Sequence, residues 1–413
     1  MTRTILDIHI LQTVPPSNIN RDDTGAPKTA VYGGVRRARV SSQAWKRATR
    51  KYFEQLLPAS DLGVRTKKVA ETLGEHILAL DPQVGDELLT DPTPQARRRV
   101  AVEMAAEALH HATGSKIEVP KRKAKDADGE GADEAAPESS YLLFLSRRQL
   151  DALATLAVEG GAGKGAPGLK EFFKDRKNKA RAREAVDTRH SVDIALFGRM
   201  VADSSDLNVE AATQVAHAIG VHRSEVESDY YTAVDDQNTD AETGAGMIGS
   251  VDFNSATLYR YAALDVNELQ RNLGAELQSE GQLSPTERAV GAFLEAFISS
   301  LPTGKINTFG NHTLPAAVVV KLRTRRPVSF VGAFEEPVPQ GEEGGFLLNT
   351  CQRLADQARA LDAQYGTFDG ERTWVMRVGT QTLPLVGLGT EMPLAGLVKD
   401  VQDAVADRLG ARA

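Results

Sequence analysis

Runs of apolar residues with a period of two mark the strands of this chain. Thr4 to Ile10 forms such a run close to the amino terminus and predicts a strand. Between Val251 and Tyr261, apolar and aromatic residues share one parity, which is typical of a half-buried strand. Thr313 to Leu322 and Arg372 to Leu383 predict two further strands. The predicted sheet is therefore assembled from both ends of the chain.

Other segments carry the start and stop signals of helices. A helix is predicted from Ser42 to about Leu57, because the Ser42 hydroxyl can cap its first turn and a proline follows its end. Ser284 to Glu287 is a capping box with proline at the first helical position, so a helix should run from there to about Ser300. Pro393 to Leu409 predicts a closing helix. The predicted order is one strand, a helix, a helical insertion, and then further strands and helices, which indicates the fold class α+β.

Residues 60 to 190 look helical and interrupted by loops. One stretch, from Pro120 to Ser140, contains no Ile, Leu, Val, Met, Phe, Trp or Tyr. Such a segment cannot bury enough apolar surface to offset the entropy that ordering would cost. We therefore expect a helical insertion that contains a disordered loop, at about residues 115–140.

The composition is that of an ordinary globular protein. The 413 residues are 41% hydrophobic and 25% charged, which is enough to bury a sizeable core. The chain opens directly into a predicted strand and contains no apolar run long enough to span a membrane, so we expect a cytoplasmic protein that does not bind membranes. The single cysteine, Cys351, excludes an internal disulfide and a cysteine-based zinc site, and we expect it to be buried.

Positive charge is concentrated in one segment of an otherwise acidic chain. The formal net charge is -7, yet residues 28–51 contain eight Lys or Arg residues and no Asp or Glu. These 24 residues therefore carry +8, and the other 389 sum to -15. The asymmetry indicates one surface for an anionic ligand on an acidic body.

The predicted helix that begins at Ser42 separates this charge from an apolar stripe. At 100° per residue, one arc of the helix carries Gln43, Lys46, Arg47, Arg50 and Lys51. The opposite arc carries Ala44, Trp45, Ala48, Tyr52 and Leu56. A cationic helix face is usually just solvated, but it also suits a polyanion such as nucleic acid, and the free amides near Ser42 could add contacts to phosphate.

The segment before this helix favours the nucleic-acid interpretation. Asn20-Arg21-Asp22-Asp23 forms a polar loop, and Tyr32 to Ser42 contains a Gly-Gly turn followed by alternating cations. The run from Asn20 through Lys51 resembles the amino-terminal signature of the CasC family, the crRNA-binding backbone subunits of the type I-E CRISPR Cascade complex. The resemblance continues at residues 192–200, 217–219, 231–236, 259–262 and 269–273.

The resemblance implies an architecture like a right hand. An RRM-like palm would comprise residues 1–59 and 251–413, with an inserted helical fingers domain at residues 60–190. A thumb region at residues 191–250 would carry a hairpin that folds over the RNA bound to the neighbouring subunit. The predicted order of elements is compatible with this plan.

The resemblance also implies which residues touch the guide RNA. Lys28, Ser42, Gln43, Lys46, Arg47 and Lys51 would hold its phosphate backbone, with Asn20 and Arg21 nearby, irrespective of base sequence. Met200 would wedge between bases, and Tyr231 would press against a base flipped out of the guide. Lys305 matches a polar family segment and would face RNA. Without the family context, such Met, Tyr and Lys residues are usually core, packing or solvated side chains.

Partners and function follow from the same resemblance. The expected partners are crRNA, target DNA held by pairing with the crRNA, other copies of this chain, and other Cascade subunits. Several copies would lie side by side on one guide and form a helical filament through heterologous contacts. The protein would form the backbone of a surveillance complex in antiviral defence, accept any spacer, and catalyse no reaction.

The motifs of cofactor and metal sites fail on closer inspection. The two Gly-Lys pairs, at 163–164 and 304–305, lack the glycine that a phosphate loop needs. The glycine pattern at residues 244–249 precedes a strand, whereas a dinucleotide site precedes a helix. The histidines lack the one-turn spacing of a metal site, so His217 and His222 are interpreted as core or surface residues. We expect no cofactor and no metal.

One enzymatic alternative stays open. Asp22 and Asp23 lie beside the basic segment and could hold Mg²⁺ in an endoribonuclease that cuts target RNA. Against it, Arg21 places a cation inside the same turn, and aspartates in such loops commonly cap turns.

Overall fold

The computed structural model of the chain describes residues 3–118, 137–201, 204–233, 247–274 and 284–410. The strands in this part of the chain are β1 (Ile5–Ser17), β2 (Thr29–Tyr32), β3 (Val35–Val40), β4 (Gly63–Thr66), β5 (Ile117–Glu118), β6 (Glu138–Ser139), β7 (Leu143–Ser146), β8 (Thr213–Val215), β9 (Ala218–Gly220), β10 (Glu227–Ala233), β11 (Met247–Asp265), β12 (Ala317–Arg323), β13 (Arg372–Arg377) and β14 (Thr390–Glu391).

The helices are α1 (Ser42–Leu56), α2 (Val69–Leu80), α3 (Pro94–Thr113), α4 (Arg147–Gly161), α5 (Gly165–Phe172), α6 (Arg176–Asp187), α7 (Val192–Phe197), α8 (Val266–Leu273), α9 (Pro285–Ser299), α10 (Ile306–Phe309), α11 (Leu347–Tyr365) and α12 (Leu394–Gly410). Short 3₁₀ helices occupy Ala59–Asp61, Asp86–Leu88, Ser205–Leu207, Val331–Phe334 and Thr380–Leu385. None of the helices in the described ranges is long and apolar enough to cross a bilayer.

The chain divides into two compact units. The first comprises residues 1–55, 213–267 and 287–413, and the second comprises residues 56–212 and 268–286. The first unit therefore collects both ends of the chain, as the strand pattern predicted. The finer division into palm, fingers and thumb stays a prediction.

A large mixed sheet forms the centre of the first unit. Its strand order is β14-β13-β12-β1-β11-β9-β3-β2, and β8 and β10 also pair with β11. The pairs are antiparallel except for β13 with β14, which is parallel. In the middle, β1 pairs with β11 on one side and with β12 on the other, so that Ile5 lies opposite both Asp265 and Arg323. This mixture of sheet and helices agrees with the predicted α+β class.

Both faces of the central strands are covered. Residues from Ile5 to Leu11 are buried without alternation, as expected for strands that pack on both faces. On one face, Leu11, Val319 and Val375 belong to a core with Cys351 and Leu354 of α11. Cys351 is thus a buried apolar residue, as expected, and burial raises the pKa of its thiol to about 12.

The second unit is mainly helical. Its core draws on side chains from α2 to α6, including Leu73, Ala105 and Leu153, which are fully buried. Beside these helices, β4 pairs with β7. The predicted disordered loop at 115–140 falls largely outside the described residues. Its two described ends, however, are not loop, because the backbones of β5 and β6 pair and place Ile117 opposite Ser139.

All four predicted strands have different bounds in the structure. Strand β1 continues to Ser17, beyond the predicted Ile10, and β11 spans Met247–Asp265 rather than residues 251–261. The strand predicted from Thr313 begins only at Ala317, after Pro315, which has no amide to donate to a ladder. The strand predicted from Arg372 to Leu383 is wrong beyond Arg377, because Thr380–Leu385 forms a 3₁₀ helix. The break coincides with Gly379, whose φ of 76° is left-handed.

Candidate nucleic-acid interface

Helix α1 is anchored by one row of side chains. Trp45, Thr49 and Phe53 follow one another at four-residue spacing, and all three are buried. The predicted apolar arc is therefore displaced around the helix, because Ala44 and Tyr52 are only half-buried. A threonine can lie in this row because its hydroxyl is 3.4 Å from that of Ser300.

A buried arginine fixes this helix to the sheet. The guanidinium of Arg260, on β11, lies 3.8 Å from the centre of the Trp45 ring. It donates to Gln12 Oε1 at 2.7 Å and to the carbonyl of Phe297, at the end of α9. Burial lowers the pKa of Arg260 to about 9. The contacts hold α1 in one orientation, so its opposite side has a defined direction.

The opposite side of α1 carries the exposed polar residues. Gln43, Arg47 and Lys51 are exposed and share the same four-residue spacing, which makes them a straight stripe. Lys46 and Arg50 lie beside it and are half-buried. Burial lowers the pKa of Lys46 from its ordinary value. We call Gln43, Lys46, Arg47, Arg50 and Lys51 the α1 stripe.

The cap of α1 differs from the prediction. Ser41 is the capping residue, because its hydroxyl accepts from the Ala44 amide at 3.3 Å. Ser42, the predicted cap, is the first residue of the helix itself. The reason lies in the preceding loop, where Asn20 Oδ1 accepts from the Ser41 amide at 2.8 Å and ends β3 there. Asn20 thus places the start of α1 beside the polar loop.

The polar loop from Asn20 to Lys28 is closed on itself and tied to the sheet. The Lys28 amide donates to the Asn20 carbonyl at 2.9 Å, and Arg21 bridges to Pro27. Asn18 Nδ2 donates to the carbonyls of Gly25 and Asp252, at 2.9 and 2.8 Å. Arg21 is exposed and Lys28 is half-buried. The loop therefore presents its two cations from a fixed backbone.

Asp22 is engaged within this loop. Its Oδ1 accepts from the Thr24 amide, the Thr24 hydroxyl and the Ala26 amide at 2.9, 2.7 and 3.1 Å. The Thr24 hydroxyl and the backbone amides lower the pKa of this carboxyl. Asp22 therefore caps the turn. In the parts of the chain that the structure describes, no three His, Cys, Asp or Glu residues group to hold a metal ion.

The Gly-Gly turn joins β2 to β3. Gly33 and Gly34 have φ values of 58° and 78°, which a two-residue hairpin turn between Tyr32 and Val35 requires. Gly33 also allows another segment of the same chain to pack closely, since an added Cβ would lie 1.6 Å from the Glu335 carbonyl oxygen.

One of the alternating cations after this turn is structural. Arg37 has 0% of its surface exposed, and its guanidinium donates to the carbonyls of Gly220, Val221, Phe334 and Glu335. It therefore joins β3 to distant parts of the chain and is withheld from ligands. Arg36 is exposed, and Arg39 is half-buried.

Lys305 lies close to the polar loop. Gly304 packs on the loop's base, because an added Cβ there would lie 2.5 Å from the Ile19 carbonyl oxygen. Lys305 itself adopts the left-handed conformation with φ 46° and precedes helix α10, and the ring of Phe309 in that helix is tilted against Phe253 with ring centres 5.9 Å apart. The structure thus brings the backbone that precedes Lys305 against Asn18 and Ile19, from which it is distant in sequence.

The hairpin of β10 and β11 carries two exposed tyrosines. Tyr231 pairs with Gly249 and Tyr230 with Ser250, so the two rings leave opposite faces of the ribbon. Tyr231 is 45% exposed and Tyr230 is 64% exposed. The Tyr231 ring lies across Gly249, where an added Cβ would be 2.5 Å from the ring. The predicted base contact, Tyr231, is therefore an accessible ring supported by glycine.

Met200, in the second unit, is held out from a fixed backbone. It is 82% exposed, whereas its neighbours Arg199 and Val201 are buried. The backbone groups of Arg199 exchange hydrogen bonds with those of Val209 at 3.0 and 2.8 Å. Asn208 Oδ1 accepts from the Val201 amide at 2.6 Å. Met200 is therefore an exposed apolar side chain on a constrained backbone and does not fill the core.

Comparison with known proteins identifies the family. The profile of the CT1975-like proteins matches residues 6–399. The chain belongs to the CT1975-like protein family. A chain of a solved structure described as "CRISPR RNA-guided surveillance complex, pre-nicking" is 32% identical to this CT1975-like protein, with a TM-score of 0.77, and the match covers 97% of this chain and 99% of that one.

A second structural match agrees with the first. It is a chain of a "CRISPR RNA-guided surveillance complex", with 28% identity and a TM-score of 0.66, and the match covers 96% of this chain and 99% of that one. A search of curated proteins gave no match. This CT1975-like chain is thus related over almost its whole length to subunits of CRISPR RNA-guided surveillance complexes.

Two polar residues of this CT1975-like protein were not predicted as site residues. Arg39 Nη1 donates to Nδ1 of His217 at 3.1 Å, across 178 positions of sequence. Arg39 was counted only as part of the basic segment, and His217 was interpreted as a core or surface residue. His222, by contrast, is buried and stacks on Phe346 with ring centres 3.7 Å apart. No local pattern could have paired Arg39 with His217.

Proposed function

We propose that the chain binds guide RNA along its phosphate backbone and serves as a CasC-type backbone subunit of a type I-E Cascade complex. The observation that carries this proposal is the α1 stripe, whose direction is set by buried contacts and whose start is joined to the polar loop. The match to subunits of CRISPR RNA-guided surveillance complexes supports it.

The contacts in this proposal are to phosphate. Arg47 and Lys51, with the half-buried Lys46, form a row of cations along α1, and Arg21 and Lys28 extend it into the polar loop. Gln43 and Ser42 add uncharged donors near the start of the helix. Phosphates repeat along any RNA, so such a row gives affinity without reading the bases. A subunit with this surface accepts any spacer sequence.

Tyr231 and Met200 would act on the bases. A tyrosine ring stacks on every base face, and the exposed Tyr231 ring is supported from behind by Gly249. Met200 has a flexible apolar side chain on a constrained backbone, which suits insertion between two bases. Lys305, beside the polar loop, would add one more phosphate contact.

The proposed architecture and partners extend the resemblance to the CasC family. The mixed sheet of the first unit would be an RRM-like palm, the helices of the second unit the fingers, and the hairpin of β10 and β11 the thumb. Copies of the chain would lie side by side on one crRNA, with other Cascade subunits at the ends of the filament. Target DNA would be held by pairing with the guide, as antiviral surveillance requires.

The proposed role is not catalytic. The alternative, a ribonuclease with Mg²⁺ on Asp22 and Asp23, needs an Asp22 carboxylate that is available to a metal. Its Oδ1 instead accepts three hydrogen bonds within the turn. We therefore assign Asp22 to the shape of the polar loop.

The direct test mixes the purified chain with a guide-length RNA and Mg²⁺ and follows the band shift and the RNA length over time. The proposal predicts stepwise, salt-sensitive complexes that are indifferent to base sequence, with the RNA intact. Cleavage that the change Asp22→Asn or Asp23→Asn abolishes would contradict it in favour of the ribonuclease. No binding at any salt concentration would contradict RNA binding by the isolated chain.

A further inference from the structure

Arg39 is held in one position beside the polar loop. Its Nε donates to the Thr29 carbonyl at 3.2 Å, and its Nη1 donates to His217 Nδ1 at 3.1 Å. A guanidinium has five N–H donors and no acceptor, so donors remain for another partner. The contacts fix the plane of the guanidinium before any ligand arrives.

The same contact sets the form of His217. Because Arg39 can only donate, Nδ1 of His217 accepts, and the ring proton lies on Nε2. Although His217 is exposed, its partial burial lowers the pKa of the imidazole, and the charges of Arg39 and Lys28 lower it further. At neutral pH His217 is therefore a neutral donor beside two cations.

A shallow recess adjoins this pair. It is lined by Lys28 and Arg39 together with Asn20, Asn254 and a floor of apolar residues, and no Asp or Glu lines it. Asn254 Nδ2 is buried and has no hydrogen-bond partner in the described part of the chain. An unpaired buried donor costs free energy unless a ligand or water accepts from it. The recess thus brings together the hydrogen-bond donors of two cations and an amide, with no carboxylate beside them.

We propose that Lys28, Arg39, His217 and Asn254 form a phosphate site that takes one backbone phosphate of the bound RNA, apart from the α1 stripe. This inference rests on the proposed function. Lys28 belongs to the contacts already proposed, whereas Arg39, His217 and Asn254 are new. The two non-bridging oxygens of a backbone phosphate can share hydrogen bonds from a guanidinium, an ammonium, an imidazole and an amide.

A bound phosphate would also change the titration of His217. In the free protein, burial lowers the pKa of His217 most, followed by the charges of Arg39 on β3 and Lys28 before β2. An anion between them offsets that repulsion and favours the imidazolium. RNA affinity should therefore rise as the pH falls from 7.5 to 5.5, and His217 should account for part of the rise.

The test measures binding of a fluorescent guide-length RNA to the full-length chain, over a range of salt and at both pH values. Arg39→Gln is compared with Arg36→Gln, which removes an exposed charge from the same strand, and His217→Ala with His76→Ala in the second unit. Arg39→Gln should weaken binding about tenfold, as loss of a charged hydrogen bond does, and reduce the slope of log K against log salt by about 0.7. The control changes should have less than half of that effect.

His217→Ala separates the site from a structural role, because this side chain is exposed and its loss should leave the thermal midpoint unchanged. It should remove part of the pH dependence of RNA affinity that the wild type and His76→Ala both show. Unchanged affinity, salt slope and pH dependence in Arg39→Gln and His217→Ala would overturn the inference. If RNA binding still depended on Lys46 and Arg47, the proposed function would stand; if the wild type bound no RNA, both would fail.

Discussion

Single residues of similar charge have different roles in this chain because their burial differs. Arg37 and Arg260 are fully buried, and their guanidinium groups donate hydrogen bonds to carbonyls. Both residues therefore join strands and helices. Arg47 and Lys51 are exposed on α1, the helix whose Trp45 ring packs on Arg260. The buried arginines therefore serve the fold, and the exposed cations are accessible to solvent.

The aromatic contact makes a prediction at the scale of one side chain. Tyr231→Ala should leave the thermal midpoint unchanged, because the ring lies on the surface of the hairpin over Gly249. On guide RNA, it should blur the regular protection pattern seen by hydroxyl-radical footprinting, since a stacked base loses its platform.

Tyr230→Ala is the matched control for this change. Tyr230 is the neighbouring exposed ring on the opposite face of the ribbon. Its loss should leave the footprint periodic. A periodic pattern in Tyr231→Ala, or a blurred one only in Tyr230→Ala, would assign the base contact to another residue.

His9 makes the fold sensitive to acid. It is fully buried, stacks on Phe330 with ring centres 3.9 Å apart, and its Nδ1 is 2.9 Å from the Tyr259 hydroxyl. Burial, followed by the charges of Arg323 and Lys321, lowers the pKa of His9 well below its ordinary value. The unfolded chain binds a proton at this residue below about pH 6.5, whereas the folded chain does so only at lower pH.

Stability from a neutral His9 is therefore present above about pH 6.5 and is lost as the pH falls, by up to about 1.4 kcal/mol per pH unit. The urea midpoint of the wild type should fall between pH 7.5 and 5.5. His9→Gln should make that fall smaller, and His222, whose pKa burial also lowers, should account for part of what remains. An equal fall in the variant would contradict a neutral buried His9.

At the scale of elements, α1 shows how a helix is oriented by a few positions. Its buried row, at Trp45, Thr49 and Phe53, lies opposite the exposed Gln43, Arg47 and Lys51. The hydrogen bond from the Ser41 amide to Asn20 joins the start of the helix to the polar loop. A helix held at both its face and its start presents the α1 stripe in one direction.

The assignment of Ser41 as the cap of this helix can be tested by measuring the stability of two variants. Ser41→Ala should lower the free energy of unfolding by about 1 kcal/mol, because the Ala44 amide loses its acceptor. Ser42→Ala, one residue along, should change it by a few tenths of a kcal/mol. Urea unfolding of both variants measures this free energy. A larger loss in Ser42→Ala than in Ser41→Ala would show that Ser42 is the cap.

At the scale of the whole molecule, the sequence predicted what depends on neighbours in the chain. Local signals in the sequence located α1, α12 and the first half of β1, and the Gly-Gly pair located the turn between β2 and β3. The α+β class followed from the order of these elements. Prediction was weaker wherever a distant segment decided the outcome.

Three sets of contacts show where local pattern was insufficient. Arg37 looked like its exposed neighbours, but carbonyls near residues 220 and 334 bury it. Ser41 became the cap because Asn20, across a loop, accepts from its amide. Arg39 and His217 meet across 178 positions of sequence. Such contacts exist only after the sheet has formed, so a sequence pattern does not contain them.

The measurement that tests the central claim most directly is the salt dependence of RNA binding by the α1 stripe. The double change Lys46→Gln, Arg47→Gln is compared with Lys170→Gln, Lys174→Gln, which removes equal charge from the second unit. Two lost phosphate contacts should weaken binding alike for all RNA sequences and flatten the slope of log K against log salt by about 1.4. An unchanged affinity and slope, or an equal effect of the control, would contradict the assignment of guide RNA to this helix.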